Sequence, residues 1–323
     1  MSQRPKLSLI IPIFNEEEVI PELQRRLEGF LAGVSEIQGS WEVILIDDGS
    51  KDRSLTLLEA MAKSDPRYKI VSFSRNFGHQ FAITAGIDRA EGDAVVIMDA
   101  DLQDPPEVVQ RMLEKMREGY DVVYAVREKR EGETLFKRIT AAAYYRILNR
   151  MLGVKIPVDV GDFRLMSRAV VMVLRSLREQ HRFVRGMVAW LGFKQCSVRY
   201  ERPMRFAGVT KYPIRKMLKF AIDGITSFST IPLRFSTYLG ILSGIATLAV
   251  GAWAVYAKLY DRTVPGWTTI MLLVAAVASG QFLMIGVLGE YVGRIYEEVK
   301  RRPLYVVAKD TTSVVSAPTG RDT

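Results

Sequence analysis

Two uncharged stretches near the C-terminal end, Phe235–Ala257 and Trp267–Gly289, constrain the fold of this chain most strongly. Each contains 23 residues without an Asp, Glu, Lys or Arg. An α-helix of that length measures about 35 Å, enough to cross a hydrocarbon core of about 30 Å. Because only Lys258–Gly266 separates them, the two stretches predict a transmembrane hairpin. A pair of buried core helices is the alternative interpretation.

Charge is distributed unevenly along the chain. Residues 1–120 contain 14 Lys and Arg against 21 Asp and Glu, whereas the rest of the chain carries a net charge of +16. Such a basic half favours an anionic partner, either lipid headgroups or nucleic acid. Basic and apolar side chains alternate over residues 201–234, which predicts interfacial amphipathic helices, with a solvated basic face as the alternative. The basic residues that flank the hairpin predict cytoplasmic chain ends.

The first half of the chain alternates apolar, β-branched runs with helical patterns. Helices are predicted over about 17–32, 52–63, 80–90 and 105–118, and Asn15 is a candidate cap of the first. This alternation is typical of an α/β fold with a mostly parallel, Rossmann-like sheet, whose ligands bind beyond the carboxyl ends of the strands. The predicted strands are Leu7–Ile13, Glu42–Ile46, Lys69–Phe73, Ala94–Met98 and Val122–Val126.

Polar clusters follow three of these strands: Phe14–Glu16, Asp47–Ser50 and Asp99–Asp101. Two carboxylates two residues apart at a strand end can face the same side and bridge Mg²⁺ or Mn²⁺, with Gln103 as a further oxygen donor. A solvated turn is the alternative for this pair. The second cluster either contacts a nucleotide or caps the following helix. No Gly-rich dinucleotide motif and no Walker motif is present, which argues against those two classes of nucleotide site.

Six motifs in this order make the chain similar to a known family, the family 2 glycosyltransferases with the GT-A fold. Within that family it resembles the polyprenyl-phosphate branch, which includes dolichol-phosphate mannose synthase, and most of all the bactoprenol (undecaprenyl-phosphate) glucosyltransferases. The resemblance covers roughly residues 6–307. The motifs are Leu9–Glu16, Asp47–Ser50, Asp99–Pro106, Val160–Arg168, Gly224–Thr230 and Gly286–Arg294.

The resemblance implies a role for individual residues. It implies that Asp162, Asp101 and Arg127 are catalytic, and that Asp99, Asp101 and Gln103 hold the metal ion. A tyrosine is frequent in the family where this chain has Phe14. Contacts with the nucleotide-sugar are implied for Pro12, Phe14, Glu16, Asp47, Asp99, Arg205 and Lys211. The acceptor phosphate is expected to face Arg127, Arg138, Arg205 and Lys211, although simple surface charge would also account for the last two.

The implied reaction is an inverting, metal-dependent transfer of a sugar, with UDP-glucose as the favoured donor and polyprenyl phosphate as the acceptor. A phosphate monoester is largely deprotonated at neutral pH, so a strong general base is unnecessary. Asp162 is therefore expected to orient the acceptor or the sugar, and an ion pair with Arg164 is its alternative role. Other sugars, a processive polysaccharide synthase, and a nonenzymatic adaptor or nucleic-acid binder are the competing hypotheses. We expect no nucleic-acid partner, because the acidic first half would repel one.

These inferences together predict the organisation of the whole chain. A cytoplasmic GT-A domain is expected at 1–208, interfacial helices at 209–234, the hairpin at 235–292 and a cytoplasmic tail at 293–323. By the resemblance, the protein lies in the bacterial inner membrane with both termini in the cytoplasm. The strand-forming run Leu304–Ala308 predicts pairing with a neighbouring subunit, which would make the protein a homo-oligomer such as a tetramer.

Overall fold

The computed structural model describes residues 5–34, 37, 39–127, 160–201, 231–259 and 266–312. The chain divides into two compact units. One contains a β-sheet with its helices, and includes the residues from Pro303 onward. The other contains two long helices. The predicted domain boundaries at 208 and 234 stay predictions, because the boundary between the sheet unit and the first long helix lies outside the described residues.

The sheet unit is built on eight strands in the order β7-β5-β6-β4-β1-β2-β3-β8. Four of the pairings are parallel (β4 with β1, β1 with β2, β2 with β3, and β5 with β7) and three are antiparallel, so the sheet is mixed. The strands are β1 (Leu7–Ile13), β2 (Trp41–Asp47), β3 (Tyr68–Phe73), β4 (Ala94–Ile97), β5 (Val122–Arg127), β6 (Val160–Ser167), β7 (Gln195–Tyr200) and β8 (Val307–Asp310).

Helices connect and cover these strands. All four helices predicted in the first half are present, with ends that differ by one to three residues. The first begins at Ile20 after Val19, so the prediction that Asn15 caps it is wrong. The helices of the sheet unit are α1 (Ile20–Gly33), α2 (Ser54–Ser64), α3 (His79–Arg89), α4 (Val108–Arg117), α5 (Arg168–Ser176) and α6 (Val184–Trp190).

Burial on both faces of the sheet explains the apolar strand sequences. Every residue of β1, β2 and β4 is buried, as expected when helices cover both sides of a parallel core. Helix α3 approaches β1 most closely at Gly86, where an added Cβ atom would lie 2.2 Å from Cγ2 of Ile10. This glycine therefore sets the distance between α3 and the sheet.

One strand inside the sheet, β6, and one strand at its edge, β8, were not expected in their observed roles. β6 runs antiparallel between β4 and β5 and carries the motif that contains Asp162. β8 pairs with β3 of its own chain, and Ser74 N donates to Val306 O at 3.0 Å. The prediction that the Leu304–Ala308 run joins a neighbouring subunit is therefore corrected: in this structure the strand completes its own sheet.

The second unit contains the two helices that the uncharged stretches predict, α7 (Ile231–Leu259) and α8 (Trp267–Lys300). They run antiparallel, since an added Cβ on Gly240 would lie 3.4 Å from Met284 Sδ and one on Gly280 would lie 4.0 Å from Ser243 Oγ. Among the described residues, Ala276–Lys300 alone is long and apolar enough to cross a membrane, while the apolar part of α7, Tyr238–Trp253, is shorter. A hairpin with two membrane crossings is thus not confirmed.

Candidate active site

The loops that follow β1 and β2 are joined by hydrogen bonds between backbone and side chains. Asn15 N donates to Ser50 Oγ at 3.0 Å, and Lys51 N donates in return to Asn15 Oδ1 at 2.8 Å. Glu16 N donates to Ser54 Oγ at 2.9 Å. Asn15 adopts the left-handed conformation with φ 54°, which asparagine tolerates better than most residues. Asn15 therefore fixes one strand-end loop to the next rather than capping α1.

Asp47 lies buried at the carboxyl end of β2. Its Oδ1 accepts from Ser50 N at 3.0 Å, and its Oδ2 accepts from Ser72 Oγ at 2.7 Å. Both carboxylate oxygens thus stabilise the strand end. The alternative interpretation, that Asp48 or Ser50 caps α2, is wrong, because Arg53 occupies the cap position and makes no side-chain cap hydrogen bond. Of the other residues predicted to contact the nucleotide, Pro12 is buried, Glu16 is half-buried and Phe14 is 42% exposed.

Asp48 links the end of β2 to the beginning of α3. Its carboxylate accepts from Phe77 N at 2.7 Å, from Gly78 N at 2.9 Å and from Asn76 Nδ2 at 2.9 Å. Burial nevertheless raises the pKa of Asp48. Gly78 has φ 111°, a conformation that favours glycine. This anchor fixes the backbone that presents the next residue, His79.

Residues 99–104 form an acidic turn after β4, which is stabilised by a hydrogen bond within the turn and by another to β7. Asp104 is buried, accepts from Asp99 N at 3.3 Å through Oδ2, and accepts from the hydroxyl of Tyr200 at 2.8 Å through Oδ1. Burial and the neighbouring charge of Asp99 raise the pKa of Asp104 to about 7. Leu102 adopts φ 59° within this turn. Asp104 and Tyr200 therefore fix the conformation in which the predicted metal ligands are presented.

The predicted metal ligands come close together in this turn. The Asp99 side chain is 34% exposed, and burial together with the charges of Asp162 and Asp101 raises its pKa. Asp101 is buried and its Oδ1 accepts from Gln103 N at 3.1 Å. Neighbouring carboxylates that repel each other fit a hard cation, whose charge would offset theirs. No group of three or more His, Cys, Asp or Glu side chains suited to a metal occurs within the described ranges.

Asp162 of β6 accepts hydrogen bonds from several side chains. It is 5% exposed, and Arg185 binds it with two hydrogen bonds, Nε to Oδ1 at 2.9 Å and Nη2 to Oδ2 at 3.0 Å. Arg164 Nη2 donates to Oδ1 at 3.3 Å, so the expected ion pair with Arg164 is present. Burial opposes ionisation, but Arg185 and His79 hold the pKa of Asp162 well below its usual range. Asp162 is therefore ionised at neutral pH.

His79 lies between the acidic turn and Asp162. Its Nε2 is 3.3 Å from Asp162 Oδ2 and 3.6 Å from Asp99 Oδ1. Burial lowers its pKa, but the hydrogen bond to Asp162 and the charges of both acids raise the pKa of His79 to about 9 overall. From sequence alone, a lone histidine such as this one is more often a surface residue than part of a site. No motif in the sequence marked it.

Of the four cations predicted to face the acceptor phosphate, the structure describes one. Arg127 ends β5 opposite Tyr200 of β7, and an added Cβ on Gly161 would lie 3.5 Å from its Nη2. Its buried Nε has no hydrogen-bond acceptor among the residues described. Arg138, Arg205 and Lys211 lie outside the described residues.

The structure adds four polar residues that sequence reasoning missed: His79, Gln80, Arg185 and Tyr200. Gln80 connects two elements, because its Oε1 accepts from Val184 N at 3.0 Å while its Nε2 donates to Asp162 Oδ2 at 3.5 Å. Arg185 and Tyr200 lie far in sequence from the motifs they contact, on an unpredicted helix and an unpredicted strand. Only the three-dimensional fold reveals their role.

Similarity to known proteins agrees with this geometry. The family model "Glycosyl transferase family 2" matches residues 8–175. A glycosyltransferase of Bacillus subtilis, YkcC, is 50% identical over 96% of this chain and 95% of its own length. The SfII prophage-derived bactoprenol glucosyl transferase of Shigella flexneri is 42% identical over 94% and 98%, and the prophage bactoprenol glucosyl transferase homolog of Escherichia coli K12 is 40% identical over 94% and 99%. The chain therefore belongs to glycosyl transferase family 2 and is a glycosyltransferase.

Proposed function

We propose that this enzyme transfers one sugar, glucose from UDP-glucose, to the phosphate of a polyprenyl lipid such as undecaprenyl phosphate. The observation that carries the proposal is that relatives named as bactoprenol glucosyl transferases match nearly the whole chain. Both substrates carry negative charge, so the site must offset repulsion between them.

The donor is assigned to the strand ends of β1, β2 and β4. Pro12, Phe14, Glu16 and Asp47 would surround the nucleotide, and any contact of Asp47 would add to the two hydrogen bonds it already accepts. Asp99, Asp101 and Gln103 would hold Mg²⁺ or Mn²⁺. When bound there, the metal ion acts as a Lewis acid that stabilises the departing diphosphate.

The acceptor is assigned to the side of Asp162 and Arg127. An acceptor phosphate oxygen attacks the sugar carbon as the bond to the diphosphate breaks, in a single displacement that inverts the anomeric centre. Asp162 does not serve as a free base, because its oxygens accept from Arg185, Arg164 and Gln80 and its pKa is low. It orients these groups instead. Arg127 would receive the acceptor phosphate, together with Arg138, Arg205 and Lys211.

A lipid acceptor requires the site to work at a membrane. Ala276–Lys300 of α8 is apolar and long enough to anchor the enzyme, and we assign it that role in the bacterial plasma membrane. The second crossing, by α7, rests on the uncharged stretch Phe235–Ala257. The cytoplasmic position of the sheet unit rests on the basic residues that flank the helices.

The test is transfer of labelled glucose from UDP-glucose to undecaprenyl phosphate by the full chain in detergent, with Mg²⁺ or Mn²⁺. We expect label in the lipid phase for the wild type and a loss of at least about 100-fold in Asp99→Asn, because one donor-side metal ligand is removed. Asp65→Asn is the matched control, since Asp65 pairs with Arg67 at 2.7 Å outside the site.

Three results would discriminate among the alternatives. Transfer from GDP-mannose or UDP-N-acetylglucosamine in place of UDP-glucose would keep the reaction class and change the donor. The absence of labelled lipid with every nucleotide-sugar would contradict the proposal. Full activity in Asp99→Asn would contradict the assignment of the metal site. The hypothesis of a nonenzymatic adaptor is excluded already by membership of the transferase family.

A further inference from the structure

We propose that His79 is a positioning residue of this reaction: it bridges Asp99 on the donor side to Asp162 on the acceptor side and sets their separation. The inference rests on the proposed function, which assigns the two carboxylates to different substrates. It concerns a residue that is neither in the acidic turn nor in the motif that contains Asp162.

The first argument is the geometry of the bridge. One atom, Nε2, lies 3.3 Å from Asp162 Oδ2 and 3.6 Å from Asp99 Oδ1. The two acids come from different elements, Asp99 from the turn after β4 and Asp162 from β6. The two carboxylates carry like charges and repel each other. The imidazole between them offers one nitrogen to both and so links the two elements.

The second argument is that the backbone of His79 is itself fixed. Asp48 accepts hydrogen bonds from Phe77 N and Gly78 N, the two residues before it. Gln80, the next residue, contacts both Asp162 and Val184 N. A side chain carried by such a constrained segment has little freedom to move, which is what a positioning role requires.

The third argument is that part of the His79 side chain is exposed. Its side chain is 39% exposed although it touches the 5% exposed Asp162. Arg185, on α6, approaches the same carboxylate by a separate route. Asp162 thus has nitrogen atoms from two helices beside it, and Nε2 of His79 also lies 3.6 Å from Asp99, a predicted metal ligand.

The experiment compares His79→Ala, His79→Gln and the control His181→Gln, which makes the same change at the only other histidine. Each full-length variant is assayed for kcat and for KM of UDP-glucose and undecaprenyl phosphate. Binding of UDP in the presence of Mn²⁺ is measured by calorimetry, and Tm is recorded. Glutamine retains an N–H donor of similar reach, so it tests the bridge without requiring the ring.

We expect His79→Ala to lower kcat by about 10- to 100-fold, with both KM values and the UDP affinity within about threefold of wild type, because misplacement costs rate more than binding. The kcat of His79→Gln is expected to be at least about fivefold higher than that of His79→Ala, and His181→Gln is expected to have the kcat of the wild type.

Two outcomes for the variants would overturn the inference. One is a wild-type kcat in His79→Ala. The other is an equal loss of kcat, UDP affinity and Tm in both His79 variants, which would mean that the residue only supports the fold. A wild-type enzyme that transfers no sugar to undecaprenyl phosphate would remove the proposed function and this inference with it, so the two failures are distinguishable.

Discussion

Two arginine side chains hold the carboxylate of Asp162. Arg185 and Arg164 both donate to it, and Arg164 is completely buried. A buried charge that loses its partner is costly. Although burial raises its pKa, Arg185 and His79 hold the pKa of Asp162 well below its usual range. Asp162 in turn supplies the counter-charge of both arginines.

Replacing Asp162 should affect both stability and catalysis. Asp162→Asn is expected to lower the free energy of unfolding by about 3 kcal/mol, because Arg164 and Arg185 lose their counter-charge. Transfer activity should fall at least about 100-fold. Chemical denaturation and the lipid-phase assay measure these two effects, and Asp65→Asn again serves as the control.

The pH dependence of that stability difference follows from the low pKa of Asp162 in the folded state. A depressed folded pKa stabilises the protein above the unfolded value of about 3.9, and this contribution disappears as pH falls through the folded pKa. The difference between wild type and Asp162→Asn should thus be largest at about pH 5 to 6 and shrink below about pH 4. It should also shrink as pH rises from about 6.5 toward 9, because Asp162 helps to raise the pKa of His79 to about 9. A difference that grows below about pH 4 would contradict the assignment.

Among the elements, α3 is placed by contacts at both ends and at its centre. Gly86 allows it to lie against β1. At its C-terminal end, Arg89 Nε donates to Asp310 Oδ2 at 2.8 Å, and Asp88 accepts from Tyr305 at 2.7 Å. Its first residue is His79. The position of the histidine therefore depends on the packing of the whole helix.

A methyl group at Gly86 tests the contact between α3 and the sheet. We expect Gly86→Ala to destabilise the protein by about 1–3 kcal/mol, because its Cβ would overlap Ile10. Ile10→Ala alone should cost about 2–5 kcal/mol through the cavity it leaves. The double variant should be more stable than the sum of the two predicts, which thermal unfolding can measure. Strict additivity would contradict the close approach.

Strand β8 offers a separate test of the sheet edge. Tyr305 stacks on Phe73 with ring centroids 5.0 Å apart, and its hydroxyl bonds to Asp88 and Arg89. Tyr305→Phe keeps the ring and removes these bonds, so we expect a loss of about 1–2 kcal/mol. Amide hydrogen exchange of Val307–Asp310 should become faster while that of β1 is unchanged. Unaltered exchange in β8 would show that the hydroxyl does not hold the strand.

The composition of a strand explains why sequence patterns reveal some strands and not others. β1, β2 and β4 are buried on both faces and therefore appear as apolar runs. β6 contains Gly161, Asp162 and Arg164, polar or small residues that a periodicity argument assigns to a loop. Pairing with β4 and β5 and the ion pair between Asp162 and Arg185 stabilise this strand.

The acidic turn was predictable because its residues are adjacent in sequence. Asp99, Asp101 and Gln103 follow one strand, and the rule for parallel sheets places that strand's end at the ligand edge. His79, Arg185 and Tyr200 each lie on a different element. Their convergence depends on long-range packing, which a single sequence does not encode in any local pattern.

At the scale of the whole molecule, the crossing by α7 can be tested directly. Cys196 is the sole cysteine, so in a Cys196→Ser background an introduced cysteine is the only thiol that the reagent can label. With two crossings, Thr263→Cys should react with an impermeant maleimide from outside spheroplasts, whereas Lys63→Cys should react only after lysis. Labelling of Thr263→Cys only after lysis would contradict a crossing by either helix, because β8, which follows α8, pairs with β3 in the sheet that precedes α7.

The oligomeric state stays a prediction. Since β8 completes its own sheet, strand exchange no longer supports it, and the mass of the detergent-solubilised enzyme is the measurement that addresses it.

The identity of the lipid product tests the central claim most directly. Wild-type enzyme with UDP-glucose, Mg²⁺ and undecaprenyl phosphate should yield a lipid that mass spectrometry shows to be heavier by one hexose, with the phosphate retained. Absence of a glycosylated lipid, or a ladder of several hexoses as expected of a processive synthase, would contradict it.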